Sequence, residues 1–417
     1  MQDRTIVIVG AGITGVAAAE WLRRDGWAPV LVDPIAPGAR GQTSYGNAGL
    51  LARTSVVPVA TPALVRKAPK MVLDPGSPLY LRWSYLPRLM PWLLPFLRNA
   101  TPDRMRELAG PLSEMTHDTN DQHMSLAAGT GAEAFIRHGE YVWLFRNRAE
   151  FEGDAFGADI RKRFGLEPEQ LSRDQLQERD PNLGPAYTFG TLYRDFAWLG
   201  APGGYVAALF DHYRREGGAF RQAKVVDIRP GEHPQVTLES GEILRAAKVV
   251  LTAGAWSRRF AEALGMTMRL EAERGYHVSM AGPSFTAPHP YMVADAKFVL
   301  TPMDGALRAA GVVEFAGIDG PENPEPPKFI AKAIKQVYPG LEFETSTTWM
   351  GRRPTTPDSL PAIGEAPGAP NILHGYGGQH VGLTIGPKIG RLIADLAGGR
   401  VPNIDLAPYR PDRFAGR

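Results

Sequence analysis

Thr5-Ile6-Val7-Ile8-Val9-Gly10-Ala11-Gly12-Ile13-Thr14-Gly15 decides the fold of this 417-residue chain. Thr5 to Val9 is a short apolar run rich in β-branched residues, as in a parallel strand buried on both faces. Gly10, Gly12 and Gly15 follow at once. From Ile13 to Arg24 apolar and small residues recur at helical spacing, and Gly26 stands where a helix stops. A second strand, Val30–Val32, ends in Asp33. Strand, glycine turn, helix, strand and acid within about thirty residues form a unit that cradles a dinucleotide pyrophosphate. In it Gly10 permits the tight turn, Gly12 lets the backbone approach the phosphate, and Gly15 lets helix and strand pack closely. Ile13 and Thr14 open the helix whose free N–H groups face that charge. Asp33 is placed to accept hydrogen bonds from the adenosine ribose, and its charge disfavours NADP. FAD and NAD share the ADP half, so the pattern alone leaves both open.

Composition sets the bounds. With 44% hydrophobic and 22% charged residues the chain reads as an ordinary globular protein, long enough for two or three domains of roughly 150 residues. Its 46 basic and 44 acidic residues are mixed along the sequence, leaving +2 and no basic stripe for nucleic acid. The absence of cysteine excludes disulfides, a thiolate nucleophile, Cys-ligated metal centres and a cysteine-linked cofactor. Nine histidines show no ligand spacing, so no metal site is expected. Neither a G-x-S-x-G elbow, a P-loop nor an H-E-x-x-H pair is present. Arg4, Ile6–Val9 and Ala17–Ala19 imitate a short signal peptide, but Asp3 spoils its charged start and cleavage would destroy the glycine pattern. A cytoplasmic location is the expectation.

Further along, residues 62–140 are rich in Leu, Arg, Met and Pro and read as helices with breaks. Tyr141–Phe145, Gly190–Tyr193, Leu270–Met280 and Phe298–Phe315 read as strands. Val225–Ile228, Val236–Leu238 and Lys248–Thr252 look like further strands of the first domain, and a last helix runs from about Leu383 to Leu396. Together these predict an α/β fold: a Rossmann-like domain (1–60, 152–258 and 350–417) with an inserted α+β domain (61–151 and 259–349). The apolar stretch 85–97, with Trp92, Pro91 and Pro95, is too short to span a bilayer. It reads as a helix packed on the inserted domain, with a peripheral contact on the inner face of the cell membrane as the sharper alternative.

Several stretches resemble the D-amino-acid dehydrogenase and glycine-oxidase group of flavoproteins. They are the first thirty residues, Thr43-Ser44-Tyr45-Gly46-Asn47-Ala48-Gly49, Thr252-Ala253-Gly254-Ala255-Trp256-Ser257, Gly351-Arg352-Arg353-Pro354 and Gly375 to Thr384. Ser55-Val56-Val57-Pro58, Glu273-Arg274-Gly275-Tyr276-His277 and Gly311 to Gly317 are similar to its glyphosate-oxidoreductase branch. The resemblance implies non-covalent FAD, because Gly46 stands where histidine-linked relatives carry their histidine. It implies oxidation of an amino acid or N-substituted glycine at the carbon next to nitrogen, with electrons passing to oxygen or a quinone. A carrier subunit without catalysis is the alternative from another class.

The same resemblance carries over site residues. Besides the first unit, the cofactor falls to Thr43, Ser44, Asn47, Ala48, Gly49 and Leu50, then to Val225, Ala253, Gly254, Trp256 and Gly351. The last turn adds Gly378, Gln379, His380, Val381, Gly382, Leu383 and Thr384, whose backbone N–H groups face developing negative charge. Arg353 is expected to grip the substrate carboxylate with two parallel hydrogen bonds. Tyr276 is expected to donate its phenol to that carboxylate, while His277 and His380 face a second anionic group or tune the flavin.

Overall fold

The computed structural model describes residues 4–74 and 76–415; Asp3, which entered the sequence reading, lies outside the described residues. Thr5–Val9 sits inside a six-stranded sheet, flanked in parallel by Ala28–Asp33 and Lys248–Leu251. Val9 stands level with Val32 on one side and Leu251 on the other, so the three strands end together. Ala369–Tyr376 extends the sheet beyond Lys248–Leu251, and Ala362–Ala366 closes that edge antiparallel. Val225–Arg229, Gln235–Leu238 and Ile243–Arg245 form a separate three-stranded sheet. It buries Val225, Ile228 and Val236 with Val7, Val9 and Val249 of the first.

Helix Ile13–Arg24 buries Val16, Ala17, Ala18, Ala19 and Leu22, the face that the helical spacing marked. Helix Gly382–Ala397 lies against it, and two glycines set the distance. A Cβ at Gly386 would come within 2.9 Å of Ile13, and one at Gly390 within 2.7 Å of Ala17 Cβ and Ala18 N. The late helix therefore rests almost backbone to backbone on the early one, which brings its N-terminus beside the glycine turn.

Above these elements curves a ten-stranded mixed sheet. Its path runs Thr345–Thr355, Glu271–Ala281, Ala306–Phe315, Phe298–Met303, Tyr291–Val293, Ile136–Phe145, Phe189–Leu199 and Leu50–Leu51. The fold is the α/β architecture expected, a Rossmann-like layer with a second, mixed layer of sheet and helices. The division between them needs correction. Phe189–Leu199, given to the first domain, pairs with Ile136–Phe145 in the large sheet. Conversely, helices Pro102–Thr116 and Thr119–Ala127, given to the inserted domain, bury Leu108, Leu112, Met115 and Leu126 in the core of the first. Pattern reveals an element's type but not its partner, and this chain crosses repeatedly between layers.

The helix read over 85–97 is present, and the prolines expected to break it do not. Leu86–Arg98 is one helix with Pro91 and Pro95 inside it. Pro95 has no N–H for the carbonyl of Pro91, and Arg269 Nη1 donates to that carbonyl instead, 2.5 Å away. Trp92, the residue the membrane alternative turned toward lipid, is buried. It stacks on Phe96 at 4.7 Å and donates to the Thr355 carbonyl. Among the described residues no helix is long and apolar enough to cross a membrane.

The glycine contact makes a stability prediction. Gly390→Val should cost about 1–3 kcal/mol, since backbone atoms of the facing helix must move to admit the side chain. Chemical denaturation measures this, and an unchanged midpoint would contradict the close approach.

Candidate active site

A cavity of about 1040 Å3 opens between the carboxyl ends of the first sheet and the underside of the second. This is where an open α/β sheet places its ligand. From the first unit Gly10, Gly12, Ile13, Thr14 and Asp33 line it. The following loop adds Thr43, Ser44, Asn47, Ala48 and Leu50. Val225, Ala253, Gly254, Trp256 and Gly351 line one wall, and Gly378, Gln379, His380, Gly382 and Leu383 another. Four residues assigned to the cofactor do not line it. Gly15 and Gly49 serve close packing: a Cβ would meet the Gly10 carbonyl oxygen at 1.9 Å and the Leu199 oxygen at 2.7 Å. Val381 is buried in the core, and Thr384 accepts from Ala52 N while donating to the Leu50 carbonyl.

The lining fits an FAD. Helix Ile13–Arg24 begins at Gly12 with no capping side chain; Ser44 Oγ accepts from Ile13 N at 3.1 Å, and the positive end of the helix is presented to the cavity. A Cβ on Gly12 would meet only Ser44 Oγ at 3.5 Å, so the protein tolerates a side chain there and the ligand does not. Asp33 is held toward the turn by Ala11 N and Ile35 N, both at 2.8 Å, and burial raises its pKa against those two bonds. At the other end one arm of the buried Gln379 amide bonds to the Ser359 carbonyl and the other has no partner among the described residues, as a ring that donates or accepts in its plane would need. Gly46 lies against Trp349, whose ring would stand 2.1 Å from any Cβ, so position 46 has no room for a linking side chain.

The four residues expected to act on substrate separate. Arg353 lines the cavity, and Gly275 makes its seat: a Cβ there would lie 2.3 Å from the guanidinium. The arginine is already paired. Nη1 reaches Glu273 Oε1 at 2.7 Å and the Val312 carbonyl at 3.1 Å, and Nη2 reaches the Gly311 carbonyl at 3.3 Å. His380 exposes its ring to the cavity beside this pair, and desolvation by the protein packed around it lowers its pKa to about 4, so it is neutral at pH 7. Tyr276 donates its hydroxyl to Glu314, which Arg274 also approaches at 3.4 Å. Its proton is thus directed away from the role the resemblance gave it. His277 is not on the cavity. Its Nδ1 bonds the Gly46 carbonyl at 2.9 Å and its ring stacks on Trp349 at 5.2 Å, with burial lowering its pKa to about 3. Alternation along strand Glu271–Ala281 turns Tyr276, which also touches the cavity, away from Glu273 and Gly275; His277 shares their side but lies further along the strand, opposite Trp349.

Sequence reasoning missed Glu273, which had appeared only inside a motif. It also missed His123, whose ring bonds Tyr205 and the Leu383 carbonyl and steadies the start of the late helix. No local signal marks either, because both partners are distant in sequence. Arg352 bonds the Ile318 carbonyl at 2.6 Å and lies over Trp256, half-buried, without an ion pair among the described residues.

Comparison with known proteins agrees with this geometry. A family model described as FAD dependent oxidoreductase, DAO, matches residues 5–396. A D-amino-acid oxidase of Bradyrhizobium diazoefficiens is 36% identical, with 99% of each chain covered. A D-amino acid dehydrogenase of Phenylobacterium zucineum is 29% identical over 97% of this chain and 96% of its own. The crystal structure of glycine oxidase from Geobacillus kaustophilus has the same fold, with TM-score 0.73, 20% identity and 99% of both chains covered. A Rossmann-like layer roofed by a mixed sheet, with an anion cradle at the strand ends, is the fold of a flavin-dependent oxidoreductase. The chain belongs to the DAO family of FAD-dependent oxidoreductases.

Two measurements bear on the site. Gly12→Val should fold, with an unchanged circular dichroism spectrum, yet purify without flavin; full flavin content in that variant would overturn the reading of the turn. Burial holds His277 near 3 and His123, His289 and His374 near 4, against 6.5 for an ordinary histidine. Between those values the unfolded chain binds more protons, so stability falls as pH falls through that window. The melting temperature should decline from pH 7 toward pH 5, and a level or rising profile would contradict the neutral packing of these rings.

Proposed function

We propose that the chain oxidises the C–N bond of a D-amino acid, with nitrogen primary or substituted, giving an imine that water hydrolyses to a keto acid and ammonia or, where nitrogen is substituted, an amine. The names of the two relatives support this substrate class. The observation that carries it is the free edge of Arg353. Glu273 and the Val312 carbonyl occupy Nη1, while Nε–H and one Nη2–H are bonded to nothing among the described residues. Glu273 therefore orients the guanidinium and leaves one edge for a substrate carboxylate. Bound FAD supplies the two-electron acceptor for the hydride that leaves the carbon beside nitrogen.

The remaining work falls to residues of this chain. The sheet above excludes water through Val299, Val312 and Met292, and His380 adds a neutral ring next to the carboxylate site. A histidine with pKa near 4 is a weak base, so the substrate amine must lose its own proton before hydride departs. The anaerobic rate of flavin reduction should then rise with pH to a plateau, slow on α-deuteration, and keep the rise in His380→Asn. A rise that vanishes in that variant would make His380 the base.

The direct test of the carboxylate site removes the pair together. Arg353→Met with Glu273→Gln leaves no uncompensated buried charge, and should cost about 2–3 kcal/mol in kcat/KM for amino acids. Amines that lack a carboxylate should lose far less; equal losses would overturn the role. The acceptor, oxygen or a quinone, is told apart by the rate at which each reoxidises the reduced enzyme.

A further inference from the structure

The roof of the cavity carries a second cation that the site described so far does not use. Lys297 lines the cavity from the turn between strands Tyr291–Val293 and Phe298–Met303. It keeps accessible surface, yet the surrounding protein desolvates its ammonium and lowers its pKa. The cavity wall accounts for part of the surface it exposes. Among the described residues its Nζ has no hydrogen bond or ion pair. The carboxylates that act on it from a distance are Asp154, Glu150 and Asp295, with Lys67 opposing them. All three acids are engaged elsewhere: Asp154 with Arg161, Asp295 with Arg146 and Tyr187, and Glu150 with the backbone N–H of Arg146.

The backbone shows that this lysine is not there by local preference. Lys297 has φ +54°, the left-handed region where glycine or asparagine normally ends such a turn. Across from it Val312 has φ +50°, an outlier for a β-branched residue, and Val312 N donates to the Lys297 carbonyl at 3.2 Å. The carbonyl of the same Val312 accepts from Arg353. One strained pair, Lys297 and Val312, thus links the lysine to the carbonyl that holds Arg353, over one cavity, the setting in which strain goes with function.

We propose that Lys297 receives an acidic group of the substrate other than its α-carboxylate, so that the pocket is built for amino acids carrying a second anionic group. This rests on the amino-acid reading of the cavity, with Arg353 holding the α-carboxylate. The other cations that line the cavity, Arg352 among them, are each hydrogen-bonded within the protein, whereas Lys297 Nζ has no bond among the described residues, and an incoming carboxylate supplies it with a charge-assisted one.

The test compares two substrates of one shape and different charge, D-glutamate and D-glutamine, on the holoenzyme. Lys297→Asn removes the ammonium and suits the left-handed backbone, so its melting temperature should match or exceed that of the wild type. Its ratio of kcat/KM for D-glutamate over D-glutamine should fall about 10- to 100-fold, and Lys297→Arg should restore most of the ratio. A ratio unchanged in Lys297→Asn would overturn the proposal, as would an equal loss on both substrates. A second readout is independent of turnover: glutarate and valerate titrated against the flavin absorbance. Wild type should bind glutarate more tightly and Lys297→Asn should lose that preference; no preference in wild type would overturn the proposal. If neither amino acid reduces the flavin of the wild type, amino-acid oxidation fails by itself, and the glutarate preference still decides the role of Lys297.

Discussion

Everything near the cavity depends on one strip of chain, Thr43–Leu51, being fixed between two sheets that the sequence builds from widely separated parts. From below, Ser44 accepts from Ile13 N and Thr384 donates to the Leu50 carbonyl. From above, His277 bonds the Gly46 carbonyl, and Arg308 donates to the carbonyls of Tyr45 and Asn47, both at 3.0 Å. The strip's end becomes a strand, with Leu50 and Leu51 paired to Trp198 and Ala197. Burial lowers the Arg308 pKa to about 10, so an expensive buried cation is spent on holding two backbone carbonyls. The consequence is a cavity floor that neither sheet could fix alone.

The roof follows a different logic. Its charges are arranged before any ligand arrives: Glu273 takes one corner of Arg353, Thr355 donates to the other oxygen of Glu273, and the strained residues Lys297 and Val312 sit beside them. A buried ion pair of this kind contributes little net stability, because desolvation offsets the attraction. Its value is orientation. A guanidinium fixed on one side presents its remaining N–H groups at a set angle, which is what the carboxylate site proposed for it requires.

What the sequence made legible was local. The unit from Thr5 to Asp33 folds as read because strand, turn, helix and strand are contiguous, and each glycine's task is visible in the spacing. The closing helix was legible for the same reason. The partition into layers was not, since Phe189–Leu199 looks like any buried strand until its pairing with Ile136–Phe145 is known. Arg353 was found through a short motif. Its partner Glu273 lies 80 residues away and reaches it only through the register of strands Glu271–Ala281 and Thr345–Thr355. Tyr276 and His277 show the limit of carrying a motif over: the residues are present, but their polar atoms are bonded to Glu314 and to Gly46.

The central claim is that the cavity joins a flavin to an amino-acid site roofed by Arg353, and anaerobic addition of D-amino acids to the purified yellow protein tests it most directly. The account predicts loss of the oxidised flavin absorbance at a rate that saturates with substrate, with one keto acid formed for each flavin reduced. A flavin that dithionite reduces but that no D-amino acid, acidic or neutral, bleaches would contradict it.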